Sequence, residues 1–252
     1  MGKAARKHLR LLDQDGSYDE FNTRPLRLTG NQSKTFKMRT CVPITQTQQE
    51  TFEAFDRGEN LLLHGLAGTG KTFISMYLAL REVLEDHNYK QVIIIRSVVP
   101  TRDIGFLPGN AKEKSKIYEG PYYAICNELF GRGDAYDILK SKNTVDFMTT
   151  SFLRGTTINN AVVIVDEVNN MTLHELDSVI TRLGKNCRIV FCGDFRQSDL
   201  SRESERRGLH EFMKILQDMR TFAHIEFTQD DIVRSGLVKQ YIITKDRLGI
   251  HT

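Results

Sequence analysis

Gly65-Leu66-Ala67-Gly68-Thr69-Gly70-Lys71-Thr72 has the residue types and spacing to hold a phosphate chain. It fits G-x-x-x-x-G-K-[ST]: the glycines let backbone N–H groups wrap a pyrophosphate, and the helix that follows adds its positive end. Lys71 is expected to reach the β- and γ-phosphates, and the Thr72 hydroxyl to hold Mg²⁺. The apolar run Leu61-Leu62-Leu63 leads into the loop, and residues 73–84 read as a mostly buried helix. Strand, glycine loop and helix together turn the pattern from a Gly-rich turn into a site.

A second constellation follows about a hundred residues on. Ala161-Val162-Val163-Ile164-Val165 reads as a central strand, and Asp166-Glu167 ends it with two carboxylates. Downstream of a phosphate loop this is the Walker B pattern. Asp166 would hold Mg²⁺ and Glu167 would act as general base on an attacking water. A phosphotransferase has no need of that base, so the pair favours hydrolysis over transfer to a metabolite. Three further side chains could complete the chemistry. Gln197, in Gly193-Asp194-Phe195-Arg196-Gln197-Ser198-Asp199, could sense a γ-phosphate if its strand neighbours the Asp166 strand. Arg234 could stabilise charge on that phosphate. Gln48, ahead of the first strand, has an amide that can donate and accept at an adenine edge. Taken singly, Gln48 reads as a surface residue, Arg234 as a helix-surface arginine and Gln197 as part of a polar loop with an Asx turn.

The elements that must position these groups alternate. Residues 45–56 read as a helix capped by Thr45 or Thr47, and 91–95 as a strand buried on both faces. Residues 96–109 form a ligand-side loop. Helices are expected over 121–130 and 135–140, and a strand over 145–148. A capping box, Thr172 to Glu175, opens a helix to about 183, followed by a strand over 188–192. Residues 202–207 read as a mixed-charge linker, 209–219 as an amphipathic helix, 222–227 as a strand and 231–241 as a last helix with Arg234 near its start. The fold expected is α/β: one mainly parallel sheet with helices on both faces, over residues 42–252. Residues 1–41 form a short basic N-terminal extension. Its segment 24–39 could be a hairpin turning at Gly30-Asn31, with 34–39 as an alternating edge strand.

Bulk properties exclude several classes. At 252 residues, 40% hydrophobic and 27% charged, the chain has the make-up of an ordinary globular protein with one core. No apolar run reaches the roughly 18 residues of a membrane span. The basic N-terminus lacks the apolar stretch of a signal peptide, and the four cysteines form no C-x-x-C pair. A cytoplasmic setting with reduced thiols is expected, with no membrane partner. The net charge of +3 is modest, but residues 1–40 hold nine Lys/Arg against four Asp/Glu. Such an arm suits a polyanion or a neighbouring subunit.

With these motifs in order, the chain resembles the PhoH-like family, P-loop ATPases of bacteria and phages related to the motor core of superfamily 1 helicases. The resemblance covers about residues 42–245. Gln48 stands where the family's adenine-contacting glutamine lies, and Leu66 where the family usually has proline. Ile104-Gly105-Phe106-Leu107-Pro108-Gly109 and Phe152-Leu153-Arg154-Gly155-Thr156-Thr157 also match, as do the Gly193-Asp194-x-x-Gln197-x-Asp199 and Ile232-Val233-Arg234-Ser235 segments. After Asp166-Glu167 the chain has Val168-Asn169-Asn170 where Ala-Gln-Asn is usual. The resemblance implies a RecA-like core, ATP as the nucleotide, and a homo-oligomeric ring such as a hexamer. In such rings ATP lies at a subunit boundary and the neighbour supplies an arginine.

The expected function is therefore Mg²⁺-dependent ATP hydrolysis coupled to remodelling of, or translocation on, RNA or single-stranded DNA, with helicase activity as one form of that work. The nucleotide-binding set is Gln48, Gly65, Leu66, Ala67, Gly68, Thr69, Gly70, Lys71 and Thr72; the metal set is Thr72 and Asp166; the catalytic set is Lys71, Glu167, Gln197 and Arg234. A nucleotide-gated switch or assembly scaffold that needs no polymer is the alternative from a different class. Phosphotransfer to a small acceptor is a third.

Overall fold

The apolar runs become parallel strands because, with both faces covered, nothing favours polar alternation. In the computed structural model, which describes residues 10–12, 36–97, 111–153, 155–195, 200 and 203–250, six strands form the main sheet. They are β3 (Asn60–Gly65), β4 (Gln91–Arg96), β5 (Val145–Thr149), β6 (Ala161–Asp166), β7 (Cys187–Gly193) and β8 (Phe222–Phe227). Their order is β5-β4-β6-β7-β3-β8, and every pairing is parallel. The chain is thus an α/β P-loop protein of RecA-like form, with β7 between the glycine-loop strand β3 and the carboxylate strand β6. A parallel sheet gathers all its carboxyl ends at one edge, so Gly65, Arg96, Asp166 and Gly193 finish side by side.

Alternate side chains of each strand feed two cores. Leu61, Leu63, Ile94, Ile164 and Val190 face one side, under α1 (Gln46–Asp56), α2 (Lys71–Leu84), α3 (Ala111–Phe130) and α4 (Ala135–Ser141). Leu62, Ile93, Val163, Val165 and Phe191 face the other, under α5 (Leu173–Ile180) and α6 (Glu203–Asp218). β6 is buried along its whole length. Each such aliphatic side chain is worth about 1.5–3 kcal/mol on burial, so the sheet under the site is its most strongly held part.

Several boundaries differ from expectation, each for a physical reason. Residues 36–39 take no strand; Arg39 N–H donates to the Leu129 carbonyl at 2.8 Å, and Phe36 stacks on Phe130 at 4.5 Å. The strand there is β2 (Thr40–Val42), which pairs antiparallel with β1 (Arg10–Leu12). The proposed turn at Gly30-Asn31 lies outside the described residues.

α3 starts at Ala111 and carries Pro121 inside it. A proline removes one helix hydrogen bond, and here Tyr122, Cys126 and Leu129, one turn apart and fully buried, hold the helix on the sheet. Residues 203–207, read as linker, are the first turns of α6, where Glu203 and Glu205 meet the positive helix end. The last helix is α7 (Gly236–Arg247), preceded by the short 3-10 turn Gln229–Asp231. Asp231 is drawn back by Thr228 N–H at 2.8 Å and by the Thr47 hydroxyl at 3.0 Å. Arg234 therefore sits in the connection ahead of α7, not on the helix.

Candidate nucleotide site

The site is built from the loop between β3 and α2 outward. Gly65 has φ +111°, and a Cβ there would come within 2.1 Å of the Phe227 carbonyl at the end of β8. Only glycine fits where β3 runs this close to its neighbour. Leu66 N–H donates to that same carbonyl at 3.0 Å, and the Thr69 hydroxyl closes the loop on the Leu66 carbonyl at 2.9 Å. Gly70, at φ +92°, caps α2. Lys71 begins the helix but its side chain folds back under the loop. Its Nζ donates to the carbonyls of Gly65 at 2.8 Å and Leu66 at 2.7 Å, and to Thr69 Oγ1 at 3.3 Å. Burial pulls the Lys71 ammonium below its ordinary range, against the opposing pull of Asp194, Cys192, Glu167 and Asp166.

Across the loop, the Thr72 hydroxyl donates to Asp166 Oδ1 at 2.9 Å. The two residues assigned to a metal thus meet directly. Glu167 is left-handed, φ +54° and ψ +46°, a conformation uncommon for a residue with a side chain. Burial raises its carboxyl above the usual range, Asp166 adds to that, and Arg96, Lys71 and a hydrogen bond from Asn169 oppose it. Among the described residues no group of three or more His, Cys, Asp and Glu side chains gathers elsewhere as a metal cage. One hydroxyl and one carboxylate are hard oxygen donors. They fit an ion that keeps its waters and shares phosphate oxygens, as Mg²⁺ does.

These groups line one cleft of about 430 Å³, together with Arg234. Arg234 lies against the glycine loop of its own chain: a Cβ on Gly68 would meet Arg234 Cγ at 2.9 Å, and Val233 N–H donates to the Gly68 carbonyl at 3.3 Å. The structure therefore brings Gly68, Gly70, Lys71, Thr72, Asp166, Glu167 and Arg234 together. Gln48 lies off the cleft wall, in the first turn of α1, fully buried, with its Oε1 accepting from Ile44 N–H at 2.8 Å. Gln197 and Arg154 lie outside the described residues, as does the 104–109 loop. β7, the strand that leads to Gln197, does neighbour β6.

Three side chains were not singled out from the sequence as site groups: Arg96 and Asn169 on the cleft wall and Tyr122 buried behind it. Arg96 ends β4 beside Asp166, in register with it. A charge closing an apolar strand at a ligand edge is a signal that could have found it. Tyr122, on α3, donates to Asp166 Oδ2 at 2.9 Å and accepts from Arg96. Burial pushes its hydroxyl well above the usual tyrosine range, with Asp166 adding to the shift, so it stays a donor. Nothing in a helical tyrosine announces this. Asn169 departs from the usual residue yet holds the site: its Oδ1 accepts from Asp194 N–H at 3.1 Å and its side chain reaches Glu167.

The chain is similar in sequence to known proteins over most of its length. The PhoH-like protein from Synechocystis is 30% identical over 85% of this chain and 62% of its own length. The PhoH-like protein from Bacillus subtilis is 31% identical over 81% of this chain and 63% of its own. The chain thus spans about three fifths of the length of these relatives. A solved structure, Bacteroides Pif1 bound to ssDNA, overlaps 74% of this chain and 42% of that one at 15% identity, with a TM-score of 0.35. The family described as PhoH-like protein matches residues 40–245, the span that holds the glycine loop, the paired carboxylates and Arg234, and the chain belongs to that family.

Proposed function

We propose that this chain is an ATPase that hydrolyses the β–γ bond with Mg²⁺ and, as an oligomer, uses turnover to remodel or move along RNA or single-stranded DNA. One observation carries the reading: a phosphate-binding loop and two strand-end carboxylates share a single cleft, with Thr72 and Asp166 in direct contact at 2.9 Å. Bound Mg²⁺ would be held by Thr72 and Asp166 and would offset charge on the phosphate oxygens.

The chain's own groups do the rest. Lys71 exchanges the Gly65 and Leu66 carbonyls for phosphate oxygens. Glu167 takes a proton from the water that attacks the γ-phosphorus, while the bond to the bridging oxygen breaks and ADP leaves with that electron pair. Arg234, already over the loop, meets the charge on the γ-phosphate. Gln197 senses that phosphate, and Gln48 reads the adenine once the 44–48 segment opens. Residues 1–41, with their excess of Lys and Arg, supply the polyanion contact.

The test is ATP turnover by wild type and Lys71→Ala, each with and without RNA and ssDNA, on protein of measured mass. The expected result is turnover that polynucleotide stimulates and that Lys71→Ala loses by at least about a hundredfold. Lys71→Ala hydrolysing ATP at the wild-type rate overturns the reading. Turnover indifferent to every polynucleotide removes the polymer and leaves a nucleotide-gated switch.

A further inference from the structure

Asp166 is gripped from two directions. Thr72, on the glycine loop, takes Oδ1, and Tyr122, on α3, takes Oδ2, each at 2.9 Å. The first contact belongs to the P-loop. The second comes from a helix that is not part of the β3–loop–α2 unit. Tyr122 is fully buried, and its hydroxyl is the middle of a relay: Arg96 donates to it and it donates to Asp166. A carboxylate left with one partner can rotate about its χ2 bond; held at both oxygens it cannot.

From this double grip we infer that Tyr122 is a positioning residue for the metal-binding carboxylate, and that Mg²⁺ affinity depends on how α3 is docked. The inference rests on the reading that Asp166 holds Mg²⁺. A hydroxyl meets a metal through an oxygen lone pair and keeps its proton, so Thr72 can still donate to Oδ1 while Tyr122 holds Oδ2, and the two together orient Asp166. Pro121, the residue before Tyr122, has no N–H to donate, so at this point the packing of Tyr122, Cys126 and Leu129 holds the helix in place. The same helix forms one wall of the cleft through Pro121, Ala124, Ile125 and Glu128. A displacement of α3 therefore opens the cleft and releases Asp166 together.

The test compares wild type, Tyr122→Phe and Phe212→Leu. Phe212 is the control: it is buried on α6, on the sheet face opposite α3, where its ring packs on Phe191. Binding of a fluorescent ATP analogue is titrated with Mg²⁺ and repeated in EDTA, and melting is followed in parallel. Tyr122→Phe is expected to raise the Mg²⁺ concentration for half-maximal binding roughly tenfold, the cost typical of losing a ligand's outer hydrogen-bond partner, with EDTA binding unchanged. Phe212→Leu is expected to melt earlier with the wild-type Mg²⁺ midpoint. A Tyr122→Phe midpoint equal to wild type overturns the inference, as does an equal shift in Phe212→Leu, which would mean general loosening. Wild type that binds the analogue with Mg²⁺ but never turns ATP over removes the hydrolase and leaves this inference standing. Wild-type binding that ignores Mg²⁺ removes both.

Discussion

Glu167 carries the clearest consequence of a single side chain's surroundings. Burial and the neighbouring Asp166 raise its carboxyl above its ordinary 4.5. An acid whose folded pKa is raised binds more protons folded than unfolded. Stability therefore falls as pH rises from the ordinary value through the folded one, and above that window the ionised carboxylate is a standing cost. The same ionised form is the base in the proposed hydrolysis. The kcat/KM–pH profile, which reports the free enzyme, should thus fall on the acid side at a pH above the ordinary carboxylate range. Glu167→Gln should lower kcat by about 10² to 10⁴-fold, keep ATP analogue binding, and raise the melting temperature of the ligand-free protein at neutral pH. A loss of binding alongside turnover would show instead that Glu167 shapes the phosphate pocket.

The connection between β8 and α7 decides how Arg234 works. Its tether to the glycine loop, Val233 N–H on the Gly68 carbonyl, keeps the guanidinium over the phosphate loop of its own chain. The family resemblance leads one to expect an arginine from a neighbouring subunit; this one is already in place within the chain. Arg234→Ala and Lys71→Ala, mixed in equal amounts, should accordingly show no recovery of turnover, since each defect lies in its own cleft. Recovery on mixing would mean that Arg234 serves the next subunit. The elements that sequence misread have two causes. α3 and the start of α7 are set by contacts far along the chain, Tyr122 on Asp166 and Thr47 on Asp231, and Pro121 is a local signal that this packing overrides. The start of α6 is local: Glu203 and Glu205, read as linker charges, sit at the positive end of the helix.

For the molecule as a whole, the parallel sheet gathers its carboxyl ends at one edge, where Arg96, Asp166 and Gly193 reach the cleft, and the excess of basic residues lies in the N-terminal forty. Neutralising Lys3, Lys7, Arg24 and Arg27 should leave ATP turnover without polymer at the wild-type rate. It should weaken RNA or ssDNA stimulation and make log affinity depend less steeply on log salt. Each side chain that no longer pairs with a phosphate should take about 0.7 off that slope. An unchanged slope in a salt titration would place the polyanion-binding surface elsewhere. Among the described residues no helix is long and apolar enough to cross a membrane. The sequence by itself determined the phosphate loop, the Asp166-Glu167 pair and the strands beneath them, because glycine spacing, β-branched runs and capping residues act over a few positions. Only the tertiary structure decided that Tyr122 and Arg96 converge on Asp166, that Arg234 lies over its own loop, and that Gln48 is closed on Ile44. Those pairings join segments distant in the chain, and their partners are chosen by how helices pack on the sheet, which no local pattern encodes.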